Sequence, residues 1–348
     1  MSTNIESLNY EVCLDLQPEK DSIVVVCAAD DKYAMPLAVM VRSILANLSN
    51  DYSIFLFVID GGIKKKNKQK ILKTLSGEYC EVRFIPKPEQ FARRLEEAYR
   101  YTVTEGQAKN YISIAQYYRI FIAELLPEQI KKAIYLDCDL VVNEDLSQLW
   151  QTDLEENYVL AAQDTWIRSV SADNGLLNYQ QLGIDPNAKY FNSGVLVINL
   201  EKWRREKILT KATEYLNHYK EHVLYGDQDI LNALFTGQWG ELDPRWNVTP
   251  GIYEYASWQE SPFPENVYNN LMHNPYIIHF AAEAKPWNSQ EAFLKERFFH
   301  YLDMTAWSGW RFTFLRQFLL KLVNKAKYNV QKISSIIKRF NVSYAISK

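Results

Sequence analysis

The chain has 348 residues and a net charge of −3, with 47% apolar and 23% charged residues, enough for one large domain or two ordinary ones of common soluble composition. Its four cysteines, Cys13, Cys27, Cys80 and Cys138, have no paired metal spacing, and Cys27 and Cys138 fall in or beside apolar strands, which argues against a disulfide framework. The start is polar and acidic, and no uncharged apolar stretch reaches spanning length, so the expectation is a cytoplasmic protein, soluble or at most peripheral, without a signal peptide.

Charge is unevenly placed. From residue 310 onward there are nine Lys/Arg and no Asp/Glu, so 30 of the 39 basic residues face all 42 acidic ones in the first 309, a balance of −12. Nothing in this distribution points to a nucleic-acid partner.

Residues 1–20 read as a loose extension. Residues 23–29 are a continuous valine-rich run, the mark of a strand buried on both faces. Asp30-Asp31-Lys32-Tyr33 closes it, and apolar residues at helical spacing follow over 35–48. Residues 53–59 form a second apolar strand ending at the turn Asp60-Gly61-Gly62. A basic amphipathic helix over 63–75 and a third strand over 81–85 come next. This alternation predicts a parallel sheet with helices on its faces, where ligands sit at the carboxyl ends of strands.

Residues 86–110 are a connector with charged helical potential, and 113–125 read as a helix bearing Arg119. The apolar strand 134–136 then runs into Asp137, Cys138 and Asp139. Residues two apart on an extended chain point to one side, so Asp137 and Asp139 can present two carboxylates to one point. Such a pair repels and is costly to bury without a cation, and a hard divalent ion removes the repulsion. Two solvated turn aspartates are the plainer reading, and Asp227 and Asp229 have the same spacing. Strands at 159–163 and 194–199, helices at 201–219 and 227–235, long loops over 237–275 and a late strand at 276–280 complete the pattern. Beyond Lys285-Pro286-Trp287 the chain reads as helical to its end.

Ala28-Ala29-Asp30-Asp31-Lys32-Tyr33, Tyr135-Leu136-Asp137-Cys138-Asp139, Phe191-Asn192-Ser193-Gly194-Val195, Asp227-Gln228-Asp229-Ile230-Leu231-Asn232 and His279 with Lys285-Pro286-Trp287 occur in the order seen in one enzyme family. Over residues 22–290 the chain resembles the retaining glycosyltransferases of the family 8 type, such as bacterial lipooligosaccharide galactosyltransferases, lipopolysaccharide glucosyltransferases and glycogenin. The resemblance implies an α/β chain of the GT-A fold: a single Rossmann-like, mostly parallel sheet flanked by helices over 21–290. A helical, basic C-terminal region over 291–348 would follow. It implies Mn²⁺ or Mg²⁺ as cofactor, UDP-galactose or UDP-glucose as donor, and a hydroxyl of a glycan, glycolipid or glycoprotein as acceptor.

The resemblance assigns the metal to Asp137, Asp139 and His279; alone, a histidine after an apolar strand is more often structural. It assigns the donor site to Ala28, Asp30, Lys32, Tyr33, Arg119, Cys138, Asn192, Ala281, Ala282 and Lys285. Within that set Asp30 would take uracil or ribose, Arg119 the sugar side and Lys285 the diphosphate, as a point charge. The family usually carries asparagine where this chain has Lys32, and glycine where it has Ala282. The remaining residues, Gln228, Asp164 and Asp227, are the catalytic candidates. An amide is a poor nucleophile beside the carboxylate of retaining glycosidases, which favours attack from the face the diphosphate leaves. Asp227 also reads as a helix N-cap, Asp229 as a partner for Gln228 or sugar hydroxyls, and Trp246 and Trp287 as neighbours of the site.

Two other classes fit parts of the pattern. A haloacid-dehalogenase-type phosphatase also ends a strand in Asp-x-Asp-x-Val, here Asp137, Asp139 and Val141, but near its start and with a downstream acidic pair. An inactive glycan-binding relative would lack some of the candidate metal and leaving-group residues, all present here. In the C-terminal region Leu315, Phe318, Leu319, Leu322 and Val323 build an apolar helix stripe among uncompensated basic residues. That stripe either lies in the headgroup layer of an anionic membrane, through residues 310–348, or docks on the acidic domain.

Overall fold

The computed structural model describes residues 22–87 and 114–316, together with 318 and 322; the extension at 1–20 and nearly all of the 86–110 connector lie outside the described residues. Ser22–Ala29 forms β1, buried almost along its whole length. The other strands are β2 (Ser53–Asp60), β3 (Cys80–Pro86), β4 (Lys132–Leu136), β5 (Leu140–Val142), β6 (Val159–Gln163), β7 (Phe191–Asn199), β8 (Gly240–Glu241) and β9 (Ile277–His279). Seven of them make one sheet in the order β3-β2-β1-β4-β7-β6-β8. β3, β2, β1 and β4 run parallel, as the strand–helix alternation predicts, and β7 runs antiparallel to both its neighbours.

Alternation along β1 divides the core. Ile23, Val25 and Cys27 pack with Leu37, Met40 and Val41 of the Ala34–Asn47 helix on one face. Val24 and Val26 pack with Tyr118, Trp203 and Phe235 on the other. With helices covering both faces, no strand in the centre of the sheet needs a polar side, which is why β1 and β2 read as unbroken apolar runs. β5 and β9 form a separate antiparallel pair, with Leu140 opposite His279. Behind this pair lie Val39, Val141, Ile278, Phe280 and Phe298, the last from the Lys295–Leu302 helix.

Several expectations need correction. The helix expected over 113–125 is a 3₁₀ helix, Ile114–Phe121, followed by one α-turn, Ile122–Leu125. Tyr117, Tyr118, Arg119, Ile120 and Phe121 are all buried, while Ile114 and Gln116 are half-buried. The helix expected over 201–219 is two, Leu200–Arg205 and Ile208–Tyr219, broken where Lys207 takes a left-handed φ of 53°. Beyond residue 310, Leu315, Phe318 and Leu322 are 67%, 58% and 48% exposed, with Phe314 at 75%. Leu319 and Val323, the other members of the expected stripe, lie outside the described residues. Among the described residues no helix is long and apolar enough to cross a membrane.

Arg204 secures the segment that feeds β4. Its guanidinium donates to the carbonyls of Ala123, Leu126, Pro127, Glu128 and Ile130 at 2.7–3.2 Å. Lysine keeps the charge but cannot reproduce a planar fork over five acceptors. Arg204→Lys is expected to destabilise the protein by about 2–4 kcal/mol, read as a lower urea midpoint with an unchanged slope.

Candidate active site

The carboxyl end of β4 supplies the first two groups. Asp137 and Asp139 turn toward the same point, while Cys138 between them is buried and directs Sγ to the Ala28 carbonyl at 3.3 Å. His279 closes β9 and reaches the pair from across the small sheet. Its Nε2 lies 3.8 Å from Asp137 Oδ2 and 3.5 Å from Asp139 Oδ1. One ligand atom from each of the three residues falls within 4.8 Å of the others. Two carboxylates and one imidazole at this separation fit a divalent cation of the Mn²⁺ or Mg²⁺ type.

Gly194 explains how the imidazole fits. A Cβ at this position would stand 2.3 Å from His279 Cε1 and 2.7 Å from Nδ1. β7 also carries a bulge here, because its register to β6 jumps between Ala161, paired with Leu196, and Ala162, paired with Asn192. The extra residues re-aim the strand toward the site, and the Gly194 carbonyl accepts from Asp137 N–H at 2.8 Å.

Each carboxylate has its own cation. Arg119, 1% exposed, bonds Asp137 Oδ1 through Nη2 at 2.9 Å and Asp227 Oδ2 through Nε at 2.7 Å. It also donates to the Ser193 carbonyl and hydroxyl. Lys285 Nζ lies 2.5 Å from Asp139 Oδ2 and donates to the Phe280 carbonyl. Burial pushes the Asp137 carboxyl up, and Asp139 beside it adds to the shift, against the pull of Arg119. For Asp139 burial acts the same way, but Lys285 and His279 outweigh it and hold the carboxyl below the ordinary range. Burial raises Asp227 to about 7 in spite of Arg119.

Asp227 does not cap its helix. The N-cap of Asp227–Phe235 is Gly226, at φ 67°, and the aspartate instead faces Arg119 and the Ser193 hydroxyl. Asp229 does not face Gln228 or the cleft either. Its carboxylate accepts from Leu224 N–H, Tyr225 N–H and the Tyr190 hydroxyl at 2.6–2.7 Å, and burial raises it to about 6.

A cleft of about 620 Å³ opens above these groups. Of the residues expected at the site it is lined by Tyr33, Arg119, Asp137, Asp139, Asp164, Asn192, Asp227, Gln228, His279, Ala281, Ala282 and Lys285. Ala28, Asp30 and Cys138 border a small adjoining space with Tyr33. Lys32 borders neither, and its N–H donates to Asp30 Oδ1 at 2.9 Å, an exposed turn contact. Gln228 is oriented at both ends: Oε1 accepts from Ser193 N–H at 3.0 Å, and Nε2 donates to Asp164 Oδ2 at 3.3 Å.

Aromatic expectations fare differently. Trp246 packs on Tyr276 in the core, and Trp287 sits between Tyr33 and Phe298; neither lines the cleft. Trp166 does, with its indole N–H held by Glu254 at 3.0 Å, and so does Tyr225. Trp166 stands two residues beyond Asp164 at a strand end, a position that could have singled it out. Asn247, buried against His279 Nδ1 at 2.8 Å, carried no signal in the sequence.

Comparison with known proteins matches residues 24–291 to the family described as glycosyl transferase family 8. The chain is 34% identical over 294 residues to general stress protein A of Bacillus subtilis, covering 83% of this chain and 96% of that one. It is 33% identical over 226 residues to glycosyltransferase GlyA of Streptococcus pneumoniae, covering 63% of this chain and 29% of that longer protein. A crystal structure of galactosyltransferase LgtC in complex with donor and acceptor sugar analogues aligns with a TM-score of 0.67 at 33% identity, over 81% of this chain and 96% of that one.

Gly194→Ala tests the approach of strand to imidazole. The added methyl must displace His279, so Mn²⁺ affinity measured by calorimetry is expected to fall about 10–100-fold, with a wild-type circular dichroism spectrum.

Proposed function

The chain belongs to glycosyl transferase family 8 and has the GT-A fold, and on that premise we propose that it is a retaining hexosyltransferase. It moves galactose or glucose from a UDP-sugar to a hydroxyl of a glycan, glycolipid or glycoprotein. The observation that carries this reading is the Asp137, Asp139 and His279 cluster on the floor of a cleft that also holds Lys285 and Gln228. A phosphatase of the haloacid-dehalogenase type would need a downstream acidic pair where this cluster has an imidazole.

Asp137, Asp139 and His279 would hold the divalent cation, which when bound neutralises charge on a departing diphosphate. Lys285 has donors committed to Asp139 and Phe280 and keeps one of its three for a phosphate oxygen. Ala28, Asp30 and Tyr33, which border the small space beside the cleft, would contact the nucleoside. Gln228, its amide fixed between Ser193 and Asp164, offers a dipole to the sugar face away from the diphosphate and is too weak a nucleophile to commit to a covalent intermediate. The acceptor oxygen therefore bonds to the anomeric carbon on the face that UDP leaves, and its proton passes to the departing phosphate. Trp166 and Tyr225, both half-buried, line the cleft and would offer an acceptor ring a surface to stack on.

The reading locates the enzyme on the inner face of the cytoplasmic membrane. Besides the basic C-terminal region, the Lys65–Thr74 helix exposes Lys65, Lys66, Lys70 and Lys73. Residues 306–307 lie against that helix: Ala306 N–H donates to Thr74 Oγ1 at 3.0 Å, and Lys70 Nζ stands 4.9 Å from the Trp307 ring. The chain thus passes beside this basic helix shortly before the exposed Phe314, Leu315, Phe318 and Leu322.

Three measurements test the proposal. UDP-galactose and UDP-glucose hydrolysis should require Mn²⁺ or Mg²⁺, and Asp139→Asn should lower it about 100-fold or more without unfolding the protein; full activity in EDTA would count against the metal, and no hydrolysis of any UDP-sugar would favour a glycan-binding relative. The first-formed transfer product, followed by NMR, should keep the donor's α configuration. Full-length protein should sediment with phosphatidylglycerol vesicles at low salt, and reversing Lys65, Lys66 and Lys73 to glutamate should weaken binding by about 1 kcal/mol per site. Indifference to vesicle charge would sink the membrane assignment.

A further inference from the structure

A chain of buried amides joins the sugar-facing side of the cleft to His279, and its direction is fixed at every link. Asp164 Oδ1 accepts from the N–H groups of Trp166 and Ile167 at 2.8 and 3.0 Å, which anchors the carboxylate at the end of β6. Its Oδ2 accepts from Asn192 Nδ2 at 2.9 Å and from Gln228 Nε2 at 3.3 Å. With its nitrogen committed there, Asn192 turns Oδ1 the other way, where it accepts from Gly194 N–H at 3.0 Å and from Asn247 Nδ2 at 2.9 Å. Asn247 must then present Oδ1 to His279 Nδ1, at 2.8 Å.

Amide orientation is normally assigned from its partners rather than observed. Here the Gly194 N–H, which cannot turn round, and the Asp164 carboxylate, which only accepts, set it. An amide oxygen only accepts, so the hydrogen of the neutral imidazole sits on Nδ1, and Nε2 carries the lone pair. That nitrogen is the one aimed at Asp137 and Asp139. Asp164, Asn192, Asn247 and His279 are 2%, 6%, 2% and 4% exposed, so reversing any amide would leave buried donors facing donors, at about 1–3 kcal/mol each.

We propose that Asn247, oriented through Asn192 by Asp164, is the positioning residue that fixes the His279 tautomer for cation binding and couples the metal-facing imidazole to the Asp164–Gln228 pair. The proposal deepens the glycosyltransferase reading and takes its metal ligands from it. Asn247 touches neither substrate nor cation; it acts through His279. Histidine ligands commonly need such a partner on their second nitrogen, and losing it costs about 10–100-fold in metal affinity.

The test is ¹⁵N NMR on the full-length, metal-free protein labelled in histidine, with His279 assigned by its absence in His279→Gln. Wild type should show a single His279 tautomer, protonated at Nδ1. A neutral ring carrying its hydrogen on Nε2 alone in wild type overturns the proposal whatever the variants do. Asn247→Leu should give mixed tautomers and Mn²⁺ binding weaker by about 10–100-fold, whereas Asn247→Asp, which keeps an acceptor for Nδ1–H, should recover binding to within about 10-fold of wild type. Unchanged tautomer and Mn²⁺ affinity in Asn247→Leu would reduce the residue to packing. Because the tautomer is read without metal or substrate, an enzyme that proves metal-independent would remove the functional reading and leave this result standing.

Discussion

Arg119 sits entirely inside the protein among carboxylates, and much of the site depends on it. Its head group touches Asp137 at the end of β4, Ser193 in the bulge of β7 and Asp227 at the start of a helix, three segments far apart in the chain. Its guanidinium carbon stands 4.4 Å from the centre of the Tyr135 ring, which covers it from the sheet side. Without the guanidinium, Asp137 and Asp227 would be buried acids with no counter-charge, a situation that commonly costs about 3–5 kcal/mol. Burial alone would depress the ionisation of Arg119, yet the two carboxylates raise its pKa. The arginine is therefore a fixed charge, and the mostly buried 3₁₀ helix that carries it is part of the floor of the cleft rather than of its rim.

Arg119 lines the cleft, as the family resemblance implied, and it is also tied down within the protein. An arginine expected to reach sugar hydroxyls has most of its donors committed to protein acceptors. What it contributes is electrostatic: it lets Asp137 stay close to Asp139 before any cation arrives. Lys285 does the same for Asp139 from the opposite side. The two acids end unequal: burial, with Asp139 adding to it, displaces Asp137 upward against Arg119 and His279, whereas Lys285 and His279 hold Asp139 down against the same burial.

The parallel half of the sheet was legible because strands covered on both faces leave unbroken apolar runs, and β1 and β2 have them. β8 was not, since two residues, Gly240 and Glu241, make no pattern. Asp137 and Asp139 stood out through their spacing after an apolar strand. Asp227 and Asp229 have the same spacing and no shared role, because on a helix residues two apart diverge: one meets Arg119, the other the loop at Leu224 and Tyr225. Asn247 was invisible for a general reason. Its significance lies in which way its amide faces, and that is decided by Asn192 and Asp164, which are 55 and 83 residues away in the chain.

The late part of the chain completes the site through packing as well as through the polar contacts of His279 and Lys285. β9 is three residues long, and a slip of one position against β5 would turn His279 into the core and Ile278 toward the acids. The register is held from behind: Ile278 and Phe280 lie with Val39, Val141, Phe298 and Leu302, while Ile277 packs with the cluster under β1. Burying large side chains such as these stabilises by about 1.5–3 kcal/mol each, more than an imidazole gains from one neutral hydrogen bond. Apolar contacts on the far face of a short strand thus set where the imidazole stands, and the amide chain then decides which nitrogen it presents.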